Sequence, residues 1–222
     1  MRARAVLLDA LGTLLELEPP AALLVAELER RGAVVSEAEA GAALRAEIAY
    51  YRANHDVAGD RAGLARLRAA CTEVLREALP ARARGVPDLQ AALLAALRFR
   101  PYPEVPAALR ALRADGARLV VVSNWDVSLH DALAATGLDS LVDGAVSSAE
   151  AGAAKPDPRI FRRALALAGV RPEDAVHVGD SVEHDVAGAR AAGVEPVLVV
   201  RDGGDAPRGV RAIRSLSSLR SR

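Results

Sequence analysis

Three short apolar runs of this 222-residue chain end in polar side chains that suit phosphate and metal chemistry. The residues that end these runs are Asp9, Ser123 with Asn124, and Asp180. Carboxylates are preferred ligands of a hard cation such as Mg2+, and hydroxyl and amide groups can donate to anionic oxygens. Lys155 precedes a helix start at Pro156-Asp157-Pro158 and can add a compact positive charge. Together these groups predict a phosphate-binding arrangement around a carboxylate.

The elements that must position these groups are buried strands. The runs are apolar at consecutive positions, which is typical of a parallel sheet covered by helices on both faces. They lie at residues 6–8, 119–122, 141–146, 175–178 and 197–200. Because ligands of such sheets bind at the carboxyl ends of the strands, we expect the polar residues to converge at one edge.

Helical patterns alternate with these runs from about Glu104 onward. One pattern spans residues 104–114 and stops at Gly116. A second opens at Asp157-Pro158 with an N-cap and a first-turn proline and closes at Gly169. A third, capped by Ser181, runs to Gly193. This alternation predicts an α/β fold of the doubly wound type.

Residues 19–99 instead follow a helical pattern throughout. Pro19-Pro20 opens the first helix and Gly32 ends it, and Ser36 with Glu39 forms a capping-box pattern before the next. Apolar residues at helical spacing predict two more helices, at about 64–79 and 89–97. The sequence therefore predicts an α/β core from residues 1–14 and 101–222, interrupted by a helical-bundle unit from 15–100.

Composition narrows the class of protein. The formal net charge is zero, so no global field favours nucleic acid or an anionic membrane. No apolar run approaches the roughly 20 residues of a membrane span, and the run before Asp9 is too short for a signal peptide. The single cysteine, Cys71, excludes an internal disulfide and a cysteine-built metal site. We expect a cytoplasmic protein without nucleic-acid or membrane partners.

Four motifs, each placed after the expected element, resemble those of the haloacid dehalogenase-like hydrolase superfamily, in the branch with a helical cap inserted after the first motif. The motifs are Asp9-Ala10-Leu11-Gly12-Thr13-Leu14, Ser123-Asn124, Lys155 within Lys155-Pro156-Asp157-Pro158, and Gly179-Asp180-Ser181-Val182-Glu183-His184-Asp185. Each is weak alone, but the four in this order cover the core from Val6 to about Val200. The resemblance implies a Rossmann-like core and a cap domain.

The resemblance also implies roles for individual residues. Asp9 would attack phosphorus and become an aspartyl-phosphate. The expected phosphate or substrate ligands are Ser123, Asn124, Lys155 and Thr13. The expected Mg2+ ligands are Asp9, the backbone carbonyl of Leu11 and Asp180, with Asp185 supporting or joining them. Lys155 stands out independently, because it is the only lysine among 29 basic residues.

Position 11 departs from the pattern of the family's phosphatases. They usually carry there a second aspartate that protonates the leaving group and activates water, whereas this chain has Leu11. Losing a general acid/base typically costs about 10²–10⁴ in rate. Three explanations stay open: Asp126 replaces the acid, the substrate has a good leaving group such as that of an acyl phosphate, or the protein binds a phosphorylated ligand with little turnover.

The sequence thus predicts a Mg2+-dependent phosphatase-like hydrolase acting on a small phosphorylated compound. The alternatives are a low-activity or non-catalytic binding protein and a 2-haloacid dehalogenase-type hydrolase. The acidic fourth motif argues against the dehalogenase, since the resemblance implies a metal there. Two further expectations concern other polar residues. His177 is predicted to be a satisfied core residue, and the arginines at 201, 208, 211, 214, 220 and 222 are predicted to form a solvated tail.

Overall fold

The structure, a computed structural model, describes residues 3–204 and 207–219. The chain divides into two compact units. The core unit contains the residues up to Glu16 and those from Pro101 onward, and the helical unit is Leu17–Arg100. The sequence placed the first of these boundaries after residue 14. Arg220 and Arg222 of the predicted basic tail lie outside the described residues.

Eight strands and nine α-helices make up the described chain. The strands are β1 Ala5–Leu8, β2 Leu15–Leu17, β3 Phe99–Pro101, β4 Arg118–Ser123, β5 Gly144–Ser147, β6 Ala175–Gly179, β7 Glu195–Val199 and β8 Arg211–Ile213. The helices are α1 Pro20–Glu29, α2 Glu37–Asn54, α3 Arg61–Ala78, α4 Leu89–Ala96, α5 Val105–Ala114, α6 Leu129–Ala135, α7 Ser148–Ala151, α8 Pro158–Ala168 and α9 Ala187–Ala191. None of these helices combines the length and apolar character that a membrane span requires.

Six strands form one parallel sheet in the order β5-β4-β1-β6-β7-β8. This confirms the predicted α/β, Rossmann-like core. The first strand, β1, lies in the middle, where Ala5 pairs with Arg118 of β4 on one side and with Ala175 of β6 on the other. Every residue of β1 is buried, as expected for a strand covered on both faces. The residue after β1 therefore lies at the centre of the carboxyl edge.

Helix α8 covers one face of the sheet. Its Phe161 and Ile160 are fully buried in a cluster with Leu7 of β1 and Val120 of β4. Asp157 caps the helix by accepting from the backbone N–H of Arg159, as the sequence predicts. The start of α8 follows Lys155 closely, so packing of this helix fixes where that lysine enters the sheet edge.

The helical unit has its own hydrophobic core. Helix α2 packs on α3, and α1 packs on α4. The predicted capping box is present, since the Ser36 hydroxyl accepts from the Glu39 backbone N–H and the Glu39 carboxylate accepts from the Ser36 N–H. The strands β2 and β3, which lead into and out of this unit, pair as a two-stranded sheet. The sequence analysis did not predict this small sheet, because the hydrophobic pattern of β2 and β3 does not indicate strands.

Two elements differ from their predictions. The strand expected at 141–146 begins at Gly144, because residues Asp139–Leu141 form a 3-10 turn and the Asp143 carboxylate accepts the backbone N–H of Leu119. The helix expected after Ser181 opens with a π-helical turn, Val182–Val186, before α9. Such turns frequently occur at functional sites.

Candidate active site

The carboxyl end of β1 places Asp9 among the polar groups of its neighbouring strands. The Asp9 backbone N–H donates to the carbonyl of Val178 at 2.9 Å, which fixes the residue against β6. Its Oδ1 accepts from Lys155 Nζ at 2.6 Å and from the Ser123 hydroxyl at 3.3 Å. The structure thus brings together Asp9, Ser123 and Lys155, three of the residues that the sequence predicted at this edge. Asp9 is buried there and only 5% exposed.

Burial and charge compete at this pair. Burial raises the pKa of Asp9 to about 6 although Lys155 opposes it, and the carboxylates of Asp185 and Asp180 act in the same direction as burial. Burial alone would lower the pKa of Lys155, but the Asp9 and Asp185 carboxylates outweigh it and hold that pKa above its usual range. Lys155 therefore keeps its proton at neutral pH and acts as a fixed positive charge.

Asp185 is held from three sides by the protein. Its Oδ1 accepts from Lys155 Nζ at 2.6 Å and from His177 Nε2 at 2.8 Å, while its Oδ2 accepts from the Ser181 backbone N–H at 3.0 Å. Burial opposes its ionisation, but Lys155 and His177 outweigh burial and keep the pKa of Asp185 below its ordinary range. Three of the roughly four lone-pair sites of this carboxylate are thus occupied, so Asp185 orients Lys155 and keeps one site for a cation.

The donor set fits a divalent cation. Asp9, Asp180 and Asp185 each offer a carboxylate oxygen, and these atoms lie within 4.8 Å of one another. Three carboxylates around one ammonium leave two net negative charges, which a divalent cation would balance. Asp180 is exposed, so this edge of the cluster is open.

Gly12 brings the loop after Asp9 against Asp180. Its φ of +88° is one that residues with a side chain rarely adopt, and a Cβ atom at this position would overlap the Asp180 carboxylate. The close approach places the backbone that carries Leu11 beside the acidic cluster. The Leu11 side chain is 39% exposed.

Three predicted site residues make contacts other than those expected. The Asn124 side chain donates from Nδ2 to the Lys155 carbonyl at 3.0 Å and accepts the Lys155 backbone N–H at Oδ1 at 2.7 Å. It therefore positions that lysine, and its contact with substrate stays a prediction. Thr13 is fully buried, and its role as a substrate ligand stays a prediction. The Asp126 carboxylate is buried and accepts the Ser128 backbone N–H at 2.6 Å, a turn-capping role.

Sequence reasoning missed two residues. His177 was predicted to be a satisfied core residue, yet its Nε2 bonds to Asp185 and its Nδ1 has no hydrogen-bond partner among the described residues. Arg201 was assigned to a solvated tail, yet its side chain is only 21% exposed and bonds to the loop after Asp9. For His177 the available signal was a histidine that interrupts an apolar strand. For Arg201 the sequence offered no signal.

Comparison with known proteins identifies the family. A model of the haloacid dehalogenase-like hydrolases matches residues 3–193. The chain belongs to this family. The match covers the four motifs, the helical unit and the core unit as far as residue 193, and it confirms the resemblance seen in the sequence.

Two relatives match this chain over part of its length. A bovine haloacid dehalogenase-like hydrolase domain-containing protein 3 is 48% identical over 93 residues, which are 42% of this chain and 37% of that protein. A phosphoserine phosphatase of Thermus thermophilus is 41% identical over 134 residues, which are 58% of this chain and 53% of that protein. The matched segments thus span about half or less of each relative.

Solved structures extend the similarity to nearly the whole chain. A phosphatase of this family from Thermococcus onnurineus has a TM-score of 0.65 and 26% identity, over 96% of this chain and 94% of that one. A 2-haloacid dehalogenase from Pseudomonas syringae pv. Tomato DC3000 has a TM-score of 0.67 and 25% identity, over 96% and 95%. Both activities therefore occur on this architecture, and the residues of the site must distinguish them.

Proposed function

We propose that this protein is a Mg2+-dependent phosphatase-like hydrolase that acts on a small phosphorylated compound through an aspartyl-phosphate at Asp9. The observation that carries the proposal is the Asp9 carboxylate, bonded to Lys155 and Ser123 and adjoining the acidic pair Asp180 and Asp185. A dehalogenase of this family needs a nucleophilic carboxylate but no metal ion beside it. The acidic cluster therefore favours phosphate over a haloacid, and phosphatase-named relatives support the same choice.

In the proposed reaction, a carboxylate oxygen of Asp9 attacks phosphorus, and the bond from phosphorus to the leaving oxygen breaks. Water then attacks the aspartyl-phosphate, releasing inorganic phosphate and restoring the Asp9 carboxylate. Lys155 and Ser123 hold the phosphoryl oxygens in line for both steps. Such chemistry depends mostly on positioning and charge neutralisation.

Mg2+ would be held by Asp9, Asp180 and the Leu11 carbonyl, with Asp185 as a supporting residue. When bound, the cation neutralises negative charge on the phosphoryl group and lets it approach an anionic nucleophile. With a pKa of about 6, Asp9 stays mostly ionised at neutral pH, because Lys155 limits the rise in pKa that burial causes.

We assign the helical unit the role of a cap that closes over the substrate and selects it. It interrupts the core between the first and second motifs, where the family resemblance implies such an insertion. Its size and independent hydrophobic core suit a unit that can move as a body.

The test is a screen of phosphorylated metabolites with Mg2+, run beside Asp9→Asn. The variant keeps the size of the side chain but removes the nucleophile, so turnover should fall by about 10³-fold or more. Asp139→Asn, at an exposed position of the same unit, serves as the matched control and should leave turnover unchanged. Turnover that survives excess chelator, or that is equal in Asp9→Asn, would refute the proposal.

Leu11 favours one second candidate, a protein that binds a phosphorylated ligand with little turnover. Such a protein would be stabilised against heat by its ligand in the presence of Mg2+ without releasing inorganic phosphate. Melting curves and phosphate release measured on the same samples separate the two functions. Halide release from 2-haloacids in excess chelator would instead indicate a dehalogenase.

A further inference from the structure

Arg201 lies just beyond the end of β7 and reaches the loop that follows Asp9. Its Nε donates to the carbonyl of Gly12 at 3.2 Å, and its Nη2 donates to the carbonyl of Thr13 at 2.6 Å. Two successive carbonyls are thus bound by one edge of a planar guanidinium. A lysine ammonium cannot reproduce this contact, because it lacks two donors in a fixed fork.

The opposite side of the same loop is held by a single carbonyl. The backbone N–H groups of Thr13, Leu14 and Leu15 all point to the carbonyl of Ala10, at 3.3, 2.8 and 2.8 Å. In a trans peptide the C=O and N–H point in opposite directions. Two peptide groups, Gly12–Thr13 and Thr13–Leu14, are therefore bonded at both ends. Arg201 binds their carbonyls, and the Ala10 carbonyl accepts from their N–H groups.

Arg201 also binds the segment by which the chain returns to the core unit. Its Nη1 donates to Glu104 Oε1 at 2.7 Å, and its guanidinium carbon lies 3.4 Å from the centre of the Tyr102 ring. This distance is typical of a stacked cation–π contact. The Tyr102 backbone N–H in turn donates to the carbonyl of Leu14 at 3.1 Å. One side chain thus joins the outgoing and returning segments of the core unit.

We propose that Arg201 is a positioning residue for the active site, which holds the loop 10–15 in the conformation that presents Asp9 and the Leu11 carbonyl. The role follows from contact with the loop and not with substrate. The loop reaches the acidic cluster through Gly12, which lies against Asp180. Displacement of the Gly12 and Thr13 peptides would therefore also displace the proposed metal ligands Asp180 and the Leu11 carbonyl. The part of the inference that concerns turnover rests on the proposed function.

The decisive variant is Arg201→Lys, which keeps the charge but removes the fork. Arg208→Lys is its matched control, because Arg208 is exposed in the same C-terminal segment. In Arg201→Lys we expect hydrogen exchange at the amides of Thr13, Leu14 and Leu15 to be about 10- to 100-fold faster, the factor that loss of a charge-assisted hydrogen bond gives. Calorimetric Mg2+ affinity should fall in the same variant, and both quantities should be unchanged in Arg208→Lys.

Kinetics separate a positioning role from a merely structural one. With an aryl phosphate as the probe substrate, Arg201→Lys should lower kcat by about 10- to 100-fold while KM and the melting temperature change little. Adding guanidinium ion to Arg201→Ala should restore part of kcat, because the free ion can occupy the fork, and it should not raise the melting temperature.

Three outcomes would overturn the inference. They are unchanged amide exchange in Arg201→Lys, equal effects of the Arg201 and Arg208 variants, and a loss of kcat that follows only a loss of folded protein. Should the wild-type protein fail to hydrolyse any phosphate ester, the proposed function fails. The exchange measurement on the loop would then still decide whether Arg201 holds it.

Discussion

Position 11 lies two residues beyond Asp9 and carries a leucine that is 39% exposed. In the proposed reaction an alkoxide leaving group, whose conjugate acid is weak, needs a proton as its bond to phosphorus breaks. A carboxylate leaving group needs none. Asp126, the residue that the sequence offered as a substitute acid, caps a turn through its Oδ1. The leaving group of the substrate therefore becomes the property that Leu11 restricts most.

Replacing Leu11 by aspartate should restore the missing acid. We expect Leu11→Asp to raise the single-turnover rate of alcohol release from an alkyl phosphate such as glycerol phosphate by about 10²–10⁴-fold and to change the single-turnover release of acetate from acetyl phosphate far less. Activation of water in the second step should help both substrates equally. Leu11→Asn is the matched control, since the asparagine side chain has the shape of aspartate but carries no titrating proton. The rate of leaving-group release could instead rise equally for both substrates, or equally with asparagine. Either result would show that the size and polarity of the new side chain, and not its acidity, cause the gain.

At the scale of elements, the loop between β1 and β2 combines two constraints at Gly12. Gly12 and Gly116 have nearly the same positive φ, +88° and +87°, but a Cβ at Gly116 would meet no atom within 4 Å. The two glycines therefore separate backbone strain from contact with Asp180.

Alanine at either position should cost about 1–2 kcal/mol of unfolding free energy from the left-handed conformation alone. Gly12→Ala should in addition displace the Asp180 carboxylate and weaken Mg2+ binding, whereas Gly116→Ala should leave Mg2+ affinity at the wild-type value. Chemical denaturation and calorimetric Mg2+ titration measure the two effects. Equal Mg2+ affinity in both variants would contradict the close approach of the loop to the metal ligands.

The parts of this molecule that were predictable from sequence are those that local patterns specify. Buried runs such as 119–122 specify strands, and the Ser36 and Asp157 caps specify where helices begin. The convergence of Asp9, Ser123 and Lys155 followed from parallel topology. Arg201 was not predictable in this way, because its partners are backbone carbonyls almost 190 residues away in sequence. The role of His177 depended on Asp185, which faces it from the π-helical turn, and no local pattern specifies that contact.

At the scale of the whole molecule, the contacts described for the site lie within the core unit. The Glu18 backbone N–H donates to the carbonyl of Arg98 at 2.9 Å, so the two ends of the helical unit are close in space. A short glycine-containing turn can therefore replace the residues between them.

We expect the protein with residues 19–97 replaced by such a turn to keep its Mg2+ affinity and some hydrolysis of an aryl phosphate. It should lose discrimination among phosphorylated metabolites, because the proposed cap would be gone. Calorimetry and a comparison of kcat/KM across substrates test this, and circular dichroism verifies that the core is folded. Retained discrimination would move substrate selection from the cap to the core unit.

The central position of β1 has a consequence for biosynthesis. A ribosome makes β1 before its partners in the sheet, which begin at Arg118 and Ala175, more than 100 residues later. Leu7 and Leu8 must wait for those segments, and pairings so distant in sequence form slowly. The helical unit is continuous in sequence and can fold as it emerges from the ribosome. The helical unit can therefore fold while β1 still lacks its partners, and the apolar residues of β1 stay unpaired until β4 and β6 have been made.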